Sequence, residues 1–253
     1  MRFTNNNLVI VFSFRELIML LDPYFSQQDR EIIITAEQAS TFAKKECRDF
    51  NPIHDPDSKR FCVPGDLLFS LALKEYGISE SMTFNFTNML GGSIPLNFPD
   101  ANDPKIVITS AQDKAILEIE RTGKVSKDID LIESLIKNYV LFSGQNFPTL
   151  MMPLMKEHQV MFNPARPLVM YNSMNFEFDS LCLENPMRVA LASSHLELDN
   201  KRGNNLLHFT IYDGEKIIGR GTKTMIIAGL KPYDHEAITA FSENYQARRN
   251  AFK

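Results

Sequence analysis

The chain has 253 residues, 44% of them hydrophobic and 23% charged, an ordinary globular composition with room for one large domain or two small ones. Its formal net charge of -4, with Lys and Arg scattered along the chain, supplies no electrostatic footprint for a phosphate backbone, so nucleic acid is not an expected partner. The three cysteines, Cys47, Cys62 and Cys182, form no C-x-x-C pair and have no His at ligand spacing. Neither a disulfide framework nor a zinc site is expected, and a reducing cytoplasm is the expected location.

In chain order, residues 8–14 are apolar and follow Arg2, but Arg15 and Glu16 interrupt them. The run is far shorter than the roughly 20 apolar residues of a membrane span, and no small-residue cleavage site follows before Asp22-Pro23. We expect neither export nor a membrane anchor, and treat residues 1–30 as an N-terminal extension, with Met19 as an alternative start. Thr35-Ala-Glu-Gln38 has the spacing of a capping box, and Ala36, Ala39, Phe42 and Ala43 recur at helical intervals, which predicts a helix over 36–47 that delivers Asp49 at its end. Pro64-Gly65 then opens a stretch that is apolar almost all round and stops at Gly77, a second and buried helix. Short β-like runs follow at 82–86, 94–98, 105–109 and 115–122, separated by turn residues. A buried helix followed by antiparallel strands is an α+β pattern.

The pattern then repeats. Asp128 can cap a helix carrying Ile129, Ile132, Leu135, Ile136 and Tyr139 on one face, and strand-like runs resume near Leu168. Met174-Asn-Phe-Glu-Phe178 echoes Met82-Thr-Phe-Asn-Phe86 at an offset of 92 residues, and Pro186 echoes Pro95 at 91. Final strands at 206–211 and 216–227 flank Asp213-Gly214, a hairpin signal. Lys201-Arg202-Gly203 reads as a turn, and 236–253 as a polar helix packing on a partner. Two copies of one unit are the simplest account: 31–125, then 126–231, then a helical tail over 232–253.

One motif is specific: Asp49-Phe-Asn-Pro-Ile-His54, with Pro64-Gly65-Asp66-Leu-Leu-Phe-Ser70 ten residues later. Asn51-Pro52 disfavours continuation of the helix, so the chain turns and can return the His toward the Asp. The two segments resemble the D-x-N-P-[aliphatic]-H core and the G-x-L-L-x-S segment of MaoC-like (R)-specific enoyl-CoA hydratases, in the same order. The resemblance covers roughly residues 31 to 125, and the chain as a whole is similar to a proteobacterial family of unknown function. It implies a double hot-dog fold, each unit a long buried helix wrapped by an antiparallel sheet. It also implies hydration of a trans-2-enoyl thioester to an (R)-3-hydroxyacyl thioester. Asp49 and His54 would hold the water, the Gly65 N–H would meet the thioester oxygen, and Ser70 and Asn51 would support substrate binding.

Two positions depart from the family. Cys47-Arg48 replaces its usual Ser-Gly, so that Arg48 either pairs with Asp49 or points outward to a coenzyme A phosphate. Asp66 replaces an apolar residue after the glycine, either opposing charge in the site or serving as a first-turn acid. In the second half, Ser143-Gly-Gln-Asn-Phe-Pro148 looks like a decayed copy, with Gln145 at the place of Asp49 and Leu150 at that of His54, so only one site is expected. The stripe Leu150 to Met155 is read as core. Cys47 and Cys62 read as small buried hydrophobes. His54-Asp-Pro-Asp57 is read as a solvated turn rather than a metal site. No nicotinamide, flavin or phosphate-loop fingerprint is present, so no cofactor is expected. The expected partner is an acyl-CoA or acyl-carrier-protein thioester, met by a monomer acting as a pseudo-dimer or by a homodimer. A thioesterase and a non-catalytic acyl-CoA-binding protein are the competing functions.

Overall fold

The computed structural model of the protein describes residues 20–101, 103–145 and 150–252. The apolar run at 8–14, the alternative start at Met19 and residues 146–148 of the decayed motif lie outside them. A short hairpin, β1 (Ser26–Gln28) and β2 (Glu31–Ile33), leads into α1 (Ala36–Lys45). The capping box closes as the spacing predicts: Gln38 N donates to Thr35 Oγ1 at 3.1 Å, and Thr35 N to Gln38 Oε1 at 2.9 Å. The helix stops two residues earlier than the sequence suggests. Next comes α2 (Gly65–Tyr76), buried on nearly every face, which ends where Gly77 takes a positive φ of 78° and donates back to Leu73 O.

The strands of the first unit follow: β3 (Ile78–Phe86), β4 (Leu96–Asn97), β5 (Lys105–Ser110) and β6 (Ala115–Ser126). Asp128 caps α3 (Ile129–Gly144) through Leu131 N, and α4 (Met151–Glu157) and β7 (Val160–Met161) lead to the second set of strands. These are β8 (Val169–Phe178), β9 (Met187–Asp199), β10 (Arg202–Asp213) and β11 (Lys216–Ala228), then β12 (Lys231–Pro232), which pairs with β7. The chain closes with α5 (His235–Ala251).

Among the described residues, ten strands form one antiparallel sheet in the order β1-β2-β4-β5-β6-β3-β8-β11-β10-β9. The two halves meet at β3 and β8, where Thr83 lies opposite Asn175, Met82 opposite Phe176 and Phe84 opposite Met174. Asn175 is the residue 92 positions after Thr83. The echo seen in the sequence is therefore a local two-fold axis in the sheet, each strand of the pair meeting its own copy. The architecture is an α+β double hot-dog. Its second unit is not filled by one helix: α3 packs against α2 and β9, while Met151 and Met155 of α4 and Ile238 and Tyr245 of α5 fill a separate core. Burial of Met151 and Met155 agrees with the reading of that stripe as core.

Three expectations change. β9 is absent from the sequence reading because most of its side chains are exposed or half-exposed and show no alternation. The turn assigned to Lys201-Arg202-Gly203 lies a little earlier, with Asn200 at φ 53° and Arg202 already in β10. The C-terminal helix, expected to pack on a partner, buries Ile238 and Tyr245 against its own chain. Among the described residues no helix is long and apolar enough to cross a membrane.

The backbones pack closely where α3 ends: a Cβ added to Gly144 would lie 1.9 Å from Cys47 O and 2.7 Å from its carbonyl carbon. Gly144→Ala should therefore destabilise the fold by about 2–3 kcal/mol, read as a drop of several degrees in Tm by circular dichroism.

Candidate active site

The proposed catalytic loop starts where α1 ends. Arg48 takes a φ of 56°, a left-handed conformation that glycine adopts without strain, and this is the position at which the resembling family has Gly. The turn lets Asp49 N donate to Ala43 O at 2.8 Å. Asn51 then caps a short 3-10 turn at Pro52–His54, its Oδ1 accepting from Ile53 N at 3.2 Å. That turn carries His54 back, so that Nε2 lies 3.7 Å from Asp49 Oδ2. His54 Nδ1 is 2.7 Å from Cys62 O. A carbonyl only accepts, so Nδ1 carries a hydrogen and the ring turns Nε2 toward Asp49.

The other carboxylate oxygen is held by two donors. Asp49 Oδ1 accepts from Asn51 N at 2.8 Å and from Tyr245 Oη at 3.2 Å. Burial pushes the Asp49 carboxyl above its usual range, opposed first by His54 and then by the Asn51 hydrogen bond. Burial and the neighbouring Asp49 push the Tyr245 hydroxyl upward too, so it stays a phenol and a donor. Tyr245 also accepts from Phe50 N at 3.0 Å. One turn on, Arg248 holds Asp55 through both oxygens, at 2.7 and 2.8 Å, and Lys44 adds a third contact at 2.9 Å. The carboxylate of Asp55 in the His54-Asp-Pro-Asp57 turn is thus held by α5 and α1.

Asp49, Asn51, His54, Gly65 and Asp66 line one cavity of about 280 Å³, closed from the second unit by Val169, Tyr171, Lys223 and Met225. Gly65 is the first residue of α2, and its N–H makes no hydrogen bond among the described residues. A Cβ there would sit 2.7 Å from the Tyr171 ring, so the absence of a side chain lets the backbone face the cavity. Ser70 does not reach it: fully buried, its Oγ bonds to Asp66 O at 2.7 Å. Arg48 makes no ion pair with Asp49, and Gln145 is exposed and away from the cavity. Burial raises the thiols of Cys47, far, and Cys62, to about 11, so neither is primed as a nucleophile.

The sequence reading missed Lys223, Ser143, Tyr171, Tyr245 and Arg248. Ser143 Oγ donates to Asp66 Oδ2 at 2.6 Å, and Lys223 Nζ bonds to Ser143 Oγ. Lys223 also lies 4.1 Å over the ring of Tyr171, whose hydroxyl contacts that of Tyr139. Burial lowers the Lys223 pKa against the pull of Asp66 and Asp49. One signal for Lys223 was present: it occupies the buried phase of β11, in register with Gly221, Met225 and Ile227. Tyr245 and Arg248 sit about 195 residues from their partners and carry no local signal.

A fused pair of hot-dog units with an Asp–His pair in a cavity between them is the class that fold and site define. Residues 19–236 match the family described as "Protein of unknown function (DUF3581)", and the chain belongs to that family. No curated protein matches it in sequence. Among solved structures, it is similar to the tesB protein of Mycobacterium avium subsp. paratuberculosis at 9% identity and a TM-score of 0.45, covering 85% of this chain and 99% of that one. Acyl-CoA thioesterase II TesB2 from Mycobacterium marinum matches at 10%, 0.40, 84% and 98%. A MaoC-like dehydratase matches at 9%, 0.39, 81% and 98%.

Tyr245→Phe should leave the fold intact, cost about 0.5–1.5 kcal/mol and speed amide exchange at Phe50, whose N–H loses its acceptor. Hydrogen-exchange mass spectrometry over residues 47–55 checks this.

Proposed function

We propose that the protein is an acyl-thioester hydratase or dehydratase acting on trans-2-enoyl and (R)-3-hydroxyacyl thioesters. The observation that carries the reading is the 3.7 Å separation of His54 Nε2 and Asp49 Oδ2, with Asp49 Oδ1 already engaged. The gap is too long for a direct hydrogen bond and suits one water hydrogen-bonded to both. As that water attacks the β-carbon, one of its protons passes to the pair, and the α-carbon takes a proton from the same site. The electron pair of the C=C bond moves toward the thioester carbonyl. The Gly65 N–H at the positive end of α2 is suited to the enolate oxygen that forms.

A groove of about 490 Å³ meets the cavity at Ile53 and is lined by Lys59, Arg60 and Arg166. None of these three makes an ion pair among the described residues. Their charge suits the phosphates of coenzyme A, which favours a coenzyme A thioester over a carrier-protein one. One observation favours a thioesterase instead: Asp66 stands in the same cavity at the first turn of α2, where a carboxylate could direct water at the carbonyl carbon.

The two reactions differ in product. Incubation with trans-2-enoyl-CoAs should remove the enoyl ultraviolet absorbance without releasing thiol, and Asp49→Asn and His54→Ala should each slow this by about 10²–10⁴-fold. Thiol release that survives Asp49→Asn would establish the thioesterase.

The pH profile follows from the buried Asp49. Its carboxylate must be ionised to accept a proton, and burial raises its pKa. The rate should therefore fall as pH drops, with a midpoint above the ordinary carboxylate value of about 4. A plot of kcat/KM against pH checks the limb, which should be absent in the residual activity of Asp49→Asn.

A further inference from the structure

The reaction above leaves three buried groups of the cavity unused. Asp66, Ser143 and Lys223 are 7%, 4% and 4% exposed, and all three line the cavity. Their hydrogen bonds run Lys223 to Ser143 to Asp66 Oδ2. Asp66 Oδ1 is buried and has no hydrogen-bond partner among the described residues. An acyl group that brings no donor would leave that carboxylate oxygen unpaired, an arrangement strongly disfavoured in an apolar surrounding. The group that fits must therefore donate a hydrogen bond to Asp66.

Charge narrows the choice. An ammonium would meet Lys223, and a carboxylate would meet Asp66 and Asp49. A hydroxyl is neutral, and it both donates and accepts, so it can satisfy Asp66 Oδ1 and accept from Lys223 Nζ. The cavity is also small. Its 280 Å³ lies just below the roughly 300–1,000 Å³ of pockets for drug-sized ligands.

We propose that the cavity selects short acyl thioesters carrying a hydroxyl on the acyl chain beyond the reacting carbons, bound between Asp66 Oδ1 and Lys223 Nζ. This rests on the reading of the cavity as an acyl-thioester site. It assigns to Asp66, which breaks the family pattern, a part in substrate choice.

The test is calorimetric binding of non-hydrolysable coenzyme A analogues in which a methylene replaces sulfur. Their acyl groups are butanoyl, 4-hydroxybutanoyl, 4-aminobutanoyl and succinyl, none of which can be hydrated. The 4-hydroxybutanoyl analogue should bind at least tenfold more tightly than the butanoyl one, since a site built around a hydrogen bond rejects the ligand that lacks it. In Asp66→Ala the ratio should fall to within twofold; Lys223→Met replaces that variant if Asp66→Ala shows no cooperative thermal transition. Equal affinity for the butanoyl and hydroxyl analogues, or tightest binding of the ammonium or carboxylate analogue, would overturn the proposal and leave the acyl-thioester reading standing. Binding of none of the four by folded protein would overturn both.

Discussion

Between β3 and β8 the backbone hydrogen bonds of two half-sheets join into one ladder, and Thr83 faces its counterpart Asn175 across the local axis. Cross-strand neighbours on such a ladder are forced within about 4.5–5.5 Å of one another, so apolar side chains of both units share a single core there. Phe84 and Phe176 pack at 6.0 Å between ring centroids. At the cavity end of the same seam Phe86 and Tyr171 stack at 4.3 Å, and Tyr171 presses on Gly65. The wall opposite Asp49 and His54 is thus made by the second unit, and the first unit alone would leave its motif open to water.

The motif is a loop, and its geometry depends on distant parts of the chain. α5 supplies the Tyr245 hydroxyl and the Arg248 fork, and Phe252 just beyond it packs its ring on Phe50 at 5.5 Å. Together with the Asn51 cap these fix Asp49 Oδ1 and leave Oδ2 to face His54. Side chains locked by such supporting contacts lose little freedom when a ligand arrives, which is how a site is held ready for chemistry. The second unit supplies wall residues to the cavity, and Gln145 lies outside it.

Charge is arranged against the usual preference of an interior. Asp49, Asp66 and Lys223 lie close enough to influence one another, and taking such groups out of water is costly unless they are paired and hydrogen-bonded. Lys223 is paired through Ser143. One oxygen of Asp66 is not. A fold tolerates that kind of expense at places where a ligand completes the pairing.

Much of this was legible in the chain. The capping box at Thr35, the buried helix ending at Gly77, the Asp213-Gly214 hairpin and the offset of 92 residues between Met82 and Met174 are local patterns, set by backbone sterics, hydrogen bonding and side-chain period. The same holds for Asp49 and His54, whose spacing around Asn51-Pro52 already demanded a turn. β9 was hidden because an edge strand with exposed side chains needs no alternation. Tyr245 and Arg248 were hidden because their partners lie about 195 residues away, and Lys223, Ser143 and Asp66 meet only when the two half-sheets join. The sequence by itself determined the capped helices, the Asp213-Gly214 hairpin, the echo between β3 and β8 and the Asp–His loop, since these follow from neighbours along the chain. Only the tertiary structure decided what faces that loop, because the hydrogen bonds and charges closing the cavity join residues from both units and the C-terminal helix.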